Sequence, residues 1–300
     1  MGTDRALQSN EARAQNQPRL TIAGTALITS RVGLGTHSLH RLATSRSRQR
    51  QLALAYDLGV RYFDTAPSYG AGRTERELGR FARGRRSDLV LTTKFGINSG
   101  LLAAHVPGWL YAQMALRAVG KLSGTQRMFA SSPKRDYSAA NVRASVEKSL
   151  RALGTDHIDI LYLHEPQLEL LEGDSLLQSL EALKAAGKVR HFGLSGQSAN
   201  SVTIAMQHPT LAHILQLEMP GGNPGASLPD PTEPQAAVRF WELGRQTTSQ
   251  LAQGIEWLRA ATPRGVIMIS TNSAVQLRET AGRIEESDSA ASRSATSALA

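Results

Sequence analysis

The chain has 300 residues, a formal charge of +9 and no cysteine. The missing thiols exclude disulfides, thiolate nucleophiles and cysteine-ligated metals, so any redox chemistry has to come from a bound cofactor. The length suits one α/β barrel of about 250 residues with tails, and the arginines, such as Arg76, Arg80 and Arg83 beside Glu75 and Glu77, read as a solvated helix face and not as a nucleic-acid platform.

Residues 1–18 are polar and lack the apolar core of a signal peptide, and no uncharged apolar run approaches the roughly 18 residues of a membrane span. The expectation is a cytoplasmic protein with a disordered segment over 1–18, one barrel over 19–284 and a disordered tail over 285–300. Residues 21–28 read as one arm of a capping hairpin, leading to a first barrel strand at 31–34. A helix over about 48–58 presents Leu52, Ala55, Tyr56 and Leu58 as a stripe and stops at Gly59. The next strand, 60–63, runs into Asp64, and Tyr69 follows in the loop Thr65-Ala66-Pro67-Ser68. Gly70-Ala71-Gly72 lacks the third glycine of a dinucleotide fingerprint and reads as a turn. A second helix is expected to start at Thr74 as N-cap, with Glu77 as its capping-box partner.

The third strand, 89–93, ends on Lys94. Residues 95–135 are too long for an ordinary strand-to-helix loop and read as a lid over the active face, with Trp109 and Tyr111 as candidates for the substrate pocket. Ser138 caps a helix in which Val142, Val146, Leu150 and Leu153 recur at helical spacing, and strand 158–163 ends on His164. A helix at 175–186, a strand at 189–194, a helix at 198–207 and a strand at 213–217 follow. Residues 220–234 are rich in glycine and proline where a sixth helix belongs, and 238–243 make a weak seventh strand. A helix at 249–261, a strand at 265–270 and a short final helix complete the pattern.

The alternation implies an α/β fold: a (β/α)8 TIM barrel with an N-terminal capping hairpin, a long lid-like insertion after strand 3 and a reduced sixth βα unit. In that architecture the carboxyl ends of the strands converge on one face, so Asp64, Tyr69, Lys94 and His164 would form a proton-transfer site. Taken singly, each has an ordinary reading as a half-buried tyrosine, a polar strand end or a structural ion pair.

The same stretches resemble the aldo-keto reductases. Gly33-Leu34-Gly35-Thr36, Asp64 to Gly70 with Thr74-Glu75 and Leu78-Gly79, Thr93-Lys94, the run from Ser145 to Leu153, Asp159 to His164, Gly187 to Arg190 and Gly193-Leu194-Ser195 occur in the family's order. The resemblance implies a catalytic tetrad of Asp64, Tyr69, Lys94 and His164. Tyr69 would exchange a proton with the substrate oxygen, Lys94 would make that phenol more acidic, Asp64 would hold the ammonium, and His164 would orient the oxygen toward hydride from a nicotinamide.

The resemblance further implies that Gly35, Thr36, Ser195, Gln216, Met219, Ser270, Thr271, Asn272, Gln276 and Glu279 bind the cofactor, and that there is no metal. Gly196 stands where the family has Asn, and Met219 where an aromatic side chain covers the ring. The arginine that grips a 2'-phosphate falls on the neutral Gln276, with Arg278 two positions on, so NADP is expected and NAD is the alternative. The implied substrate is a small carbonyl compound or sugar, with neither nucleic acid nor membrane as a partner. Gly196, Met219 and the reduced sixth unit motivate an alternative: a degenerate barrel that binds nicotinamide or regulates without turnover.

Overall fold

The computed structural model describes residues 19–98, 134–171, 173–219, 237–243 and 248–298. Its strands are β1 Arg19–Thr21, β2 Ile28–Ser30, β3 Val32–Gly35, β4 Tyr62–Asp64, β5 Val90–Phe95, β6 Ile97–Asn98, β7 Lys134–Arg135, β8 Ile158–His164, β9 Val189–Gly196, β10 Leu215–Glu218, β11 Val238–Glu242 and β12 Val266–Ser270. Eight of them close a barrel in the order β10-β11-β12-β3-β4-β5-β8-β9, and every pair in it is parallel. The weak seventh strand is β11, which pairs with β10 on one side and β12 on the other.

Both faces of a strand in such a barrel are buried, one by the interior and one by helices, so the strands read as near-continuous apolar runs. Along β8, Ile160 and Tyr162 join Tyr62, Val90 and Met268 in the inner cluster, whereas Leu161 and Leu163 belong to the outer one. Inside, the hydroxyls of Tyr62 and Tyr162 meet at 3.0 Å. The antiparallel hairpin of β1 and β2 adds Ile22 and Leu27 to the inner cluster; residues 21–28, expected as one arm, instead run from the end of β1 through the turn to the start of β2.

Seven α-helices are described: α1 Ser45–Asp57, α2 Arg73–Ala82, α3 Ala139–Leu153, α4 Asp174–Ala185, α5 Ser198–Gln207, α6 Thr248–Ala261 and α7 Ala274–Ala298. Ser138 caps α3 by accepting from Asn141 N at 3.2 Å. Thr74 does not cap α2. The N-cap of that helix lies two residues earlier, at Gly72 in the left-handed region, and the Thr74 hydroxyl donates instead to the Tyr69 carbonyl at 3.1 Å. Glu77, expected in a capping box, accepts from Ser45 and Gln49, at 2.9 and 2.8 Å, and ties α2 to α1.

The expected tail over 285–300 also differs: α7 runs to Ala298 and is not short. Asp288 accepts from Arg31 at 3.1 Å and from Arg259 at 2.9 Å, and Leu277, Ala281 and Ile284 are buried. The alanines that look like low-complexity sequence are the best helix formers once one end of the helix is docked.

Among the described residues no helix is long and apolar enough to cross a membrane. The disordered segment expected at 1–18, the body of the lid with Trp109 and Tyr111, and most of the reduced sixth unit lie outside the described residues. The chain on either side of residues 99–133, most of the segment expected as a lid, meets where Ile97 pairs with Arg135 in an antiparallel bridge of β6 and β7.

One strand contact permits only glycine. A Cβ built on Gly193 would lie 1.9 Å from the carbonyl oxygen of Ile214, the backbone of the chain entering β10, and that oxygen accepts from Leu194 N at 3.0 Å. Gly193→Ala is expected to push β10 away from β9 and to cost about 1–3 kcal/mol, the range for overpacking. A urea midpoint equal to the parent's would show that this contact is not tight.

Candidate active site

Register brings the polar strand ends into one layer. Gly35 pairs with Asp64 and Asp64 with Thr92. Across the barrel His164 pairs with Ser195, and Ser195 with Gln216. Lys94 lies two residues beyond Thr92 on β5, on the same inward face. The result is a cavity of about 330 Å³ whose lining includes Gly35, Asp64, Tyr69, Lys94, His164, Ser195, Gln216 and Ser270.

Tyr69 comes from the loop after β4, and its placement depends on backbone geometry. Its N–H donates to Ala66 O at 3.0 Å. Three successive left-handed residues, Gly70, Ala71 and Gly72 (φ 55°, 56° and 77°), then turn the chain into α2. Alanine rarely adopts that region, and such strain collects where a side chain has to be aimed. The Tyr69 ring meets the imidazole of His37 edge-on with centroids 4.9 Å apart, and that of His164 at 5.8 Å. Lys94 Nζ lies 4.9 Å from the ring centre.

Lys94 is ion-paired with Asp64 and donates to Thr65 O at 3.1 Å. Asp64 also accepts from Thr92 Oγ1 at 2.8 Å and from Gln216 Nε2 at 3.1 Å. Burial pushes the Lys94 ammonium below its ordinary range, and Asp64 opposes the shift. Burial first, then the charges of Lys94, His37 and Arg135, holds His164 well below the usual histidine value, so its imidazole is neutral and offers one N–H donor.

Burial, followed by the fields of Asp64, Glu165, Glu242 and Glu218, holds Tyr69 well above the ordinary tyrosine value. Burial and these carboxylates outweigh the field of the Lys94 ammonium, which is paired with Asp64. Tyr69 is therefore fully protonated near neutral pH.

Three of the carboxylates that reach Tyr69 were not selected from sequence. Glu165, Glu218 and Glu242 all line the cavity, as do His37 and Phe240. Strand alternation carries the signal for two of them, since an inward Gln216 makes Glu218 inward, and Phe240 likewise points to Glu242. Glu165 has a positive φ of 48° and its N–H donates to Ser195 O at 2.6 Å. It pairs with Arg135 at 2.8 Å, while Glu242 pairs with Arg41 at 2.9 Å and with His37 at 3.3 Å.

The expected cofactor residues divide into four groups. Gly35, Ser195, Gln216 and Ser270 line the cavity, and Ser195 donates to Gln216 Oε1 at 2.5 Å. Thr36 is buried behind Gly35 with its hydroxyl unsatisfied. Thr271 and Gln276 bond to each other at 2.7 Å where α7 begins, beside an exposed Asn272, while Glu279 pairs with Arg283 on the exposed side of that helix.

Met219 does not cover the cavity: it is fully buried in the outer core with Leu215 and Leu217, because it shares their outward parity on the strand path. Gly196 does line the hollow, and a Cβ there would sit 3.1 Å from the Glu165 Cα. A wall without side chains at Gly35 and Gly196, an amide–hydroxyl pair at its base and a helix N-terminus beyond Ser270 fit a flat amide-bearing ring joined to an anionic chain.

The depressed imidazoles give a pH prediction. Unfolded histidines take up protons near pH 6.5, whereas His164, His37 and His191, all lowered chiefly by burial, do so only at lower pH when folded. The unfolded state then binds more protons, so their contribution to stability is complete above about pH 6.5 and is lost as the pH falls below it. Between pH 7.5 and 5.5, His164→Gln is expected to lose less stability than the parent in urea titrations. Equal losses would show that His164 protonates normally.

A family model described as Aldo/keto reductase family matches residues 31–219, more than half of the chain. D-threo-aldose 1-dehydrogenase of a Pseudomonas species is 29% identical over 208 residues, which is 67% of this chain and 60% of that protein. An aldo-keto reductase of Schizosaccharomyces pombe whose name carries NADP(+) is 29% identical over 175 residues, 56% of this chain and 42% of that protein. The chain spans less than two thirds of the length of these curated relatives. The solved structure of a glycerol dehydrogenase from Gluconobacter oxydans is similar in fold, with a TM-score of 0.63 at 20% identity, covering 89% of each chain.

Proposed function

The chain belongs to the aldo/keto reductase family, and from that premise we propose that it transfers hydride between a nicotinamide dinucleotide and the carbon of a carbonyl or alcohol group, with Tyr69 exchanging the proton. The observation that carries this reading is the convergence of Tyr69, Lys94 and His164 on one cavity, with Asp64 fixing the lysine. A carbonyl oxygen within reach of both the Tyr69 hydroxyl and the neutral His164 imidazole is polarised by two donors. As carbon receives hydride, that oxygen becomes a stronger base than a phenolate and takes the proton of Tyr69. The phenolate left behind is stabilised by the Lys94 ammonium, and alcohol oxidation runs the same steps in reverse.

When bound, the nicotinamide supplies or accepts the hydride. Ser195 and Gln216 are the residues to hold its carboxamide, Gly35 and Thr36 to let it approach the strand end, and Ser270, Thr271 and Gln276 to receive the phosphates near the start of α7. NADP is the proposed form, in line with the relative named for it, and Arg278 on the exposed side of α7 is the nearest cation in sequence to Gln276. Aldehydes, ketones and aldoses are the proposed substrates.

Fluorescence titration with NADPH and NADH, followed by turnover on a panel of aldehydes and sugars, tests the reading. Binding with turnover supports it, and failure to bind either dinucleotide rejects it. Gly196 and the outward Met219 favour a second reading, a nicotinamide-binding subunit, for which tight binding without turnover on any substrate is the expected result.

A further inference from the structure

Among the described residues, the cavity identified by Tyr69, Lys94 and His164 is lined by four carboxylates, and the cations paired with two of them, Glu165 and Glu242, lie outside it. Glu165, Glu218 and Glu242 line the hollow together with Asp64, whereas Arg135 and Arg41, which pair with Glu165 and Glu242, do not. Each of those pairs is a dipole with its negative end toward the cavity. Lys94, the one ammonium in the lining among the described residues, is held by Asp64. Glu218 adds a fourth carboxylate to these three, from the inner face of β10 two residues beyond Gln216.

Resting on the reading that this cavity receives a nicotinamide, we propose that its carboxylates make the protein bind the oxidised dinucleotide more tightly than the reduced one. Hydride transfer requires the ring to touch the carbon whose oxygen meets Tyr69 and His164, so in a cavity of about 330 Å³ the ring shares one small space with these carboxylates. The oxidised ring carries a positive charge and the reduced ring is neutral, while the rest of the dinucleotide is the same. The difference between their affinities therefore reports the field at the ring and little else.

Two features support a negative field at that place. Tyr69, at the centre of the site, is held protonated by burial together with Asp64, Glu165, Glu242 and Glu218. Glu218 is itself pushed up, by burial and then by Glu165 and Glu242. The two imidazoles facing the ring of Tyr69 do not offset this charge, since burial lowers both His37 and His164 toward the neutral form. The field also assists hydride departure from the reduced ring, where positive charge develops, while it opposes loss of the proton from Tyr69. The first effect favours the oxidised ring on the protein and slows the release of that product.

The test is a pair of dissociation constants, for NADP+ and NADPH, measured by calorimetry on the full chain at low salt. The parent is expected to bind NADP+ more tightly. Glu218→Gln is expected to shrink the ratio of the two affinities about three- to tenfold, the effect of one charge several ångströms away in a partly solvated site. Glu165→Gln should move it in the same direction, which keeps the test decisive if Glu218→Gln does not fold. Glu181→Gln, on the exposed side of α4, should leave it unchanged. Tighter binding of NADPH by the parent, or a ratio equal in parent, Glu218→Gln and Glu165→Gln, overturns the inference while leaving the proposed activity standing. Binding of neither dinucleotide overturns the activity and the inference together.

Discussion

Tyr69→Phe is expected to reduce aldehydes about 10²- to 10⁴-fold more slowly than the parent, the range for losing a positioned general acid. The change removes one oxygen and leaves the ring that packs edge-on against His37 and His164 at 4.9 and 5.8 Å, so the fold and the cavity should persist. NADPH affinity should stay within a few-fold of the parent's, because the phenol is raised far above neutral pH and contributes no charge to the site. The loss should therefore appear in the chemical step and not in cofactor binding. A Phe variant that turns over as fast as an active parent would show that the proton comes from elsewhere, with His164 the next group in reach.

Lys94→Met should damage both folding and activity. The substitution leaves Asp64, 1% exposed, without its cation. Breaking one side of a buried pair costs about 3–5 kcal/mol, because the remaining charge stays desolvated. The hydroxyl of Thr92 and the amide of Gln216 still donate to Asp64, at 2.8 and 3.1 Å, which places the expected loss near the lower end of that range. Pairing it with Asp64→Asn removes the stranded charge, so the double variant should recover part of the lost stability in urea titrations. It should not recover turnover, since the phenolate formed by Tyr69 would still lack a cation to stabilise it. Recovery of turnover would mean that Lys94 acts only as a partner for Asp64.

The three polar strand ends, and Tyr69 in the loop after the first of them, are legible because each strand is an apolar run, and in a parallel barrel all such runs finish on the same face. Asp64, Tyr69, Lys94 and His164 were placed in this way, and the resemblance to a known family added Ser195 and Gln216. Glu218 and Glu242 were missed for different reasons. Glu218 shares the parity of Gln216 and was within reach of the sequence once that residue was placed inward, whereas the direction of Glu242 depends on the register of its strand, which the thin region after 219 leaves unmarked. Met219 was misread because it was judged by its distance from Gln216, while strand parity sends it outward. The helical run after residue 285 was hidden by composition, because Ser and Ala suit a disordered tail as well as a docked helix until the partners of Asp288 are known.

The sequence by itself determined the alternation of strand and helix, the closure of eight such units into a barrel and the chemical types assembled at its mouth. These follow from periodicities of two and 3.6 residues and from side-chain chemistry, both of which are local along the chain. Only the tertiary structure decided the sign of the charge around the phenol. That sign is a sum over Asp64, Glu165, Glu218 and Glu242, which are far apart in sequence and are brought together by barrel closure. A lysine close to a tyrosine suggests an acidic phenol, but with that lysine paired to an aspartate, further carboxylates in reach and the site out of water, the phenol stays protonated because Coulomb energies add over every charge in reach and burial penalises the anion.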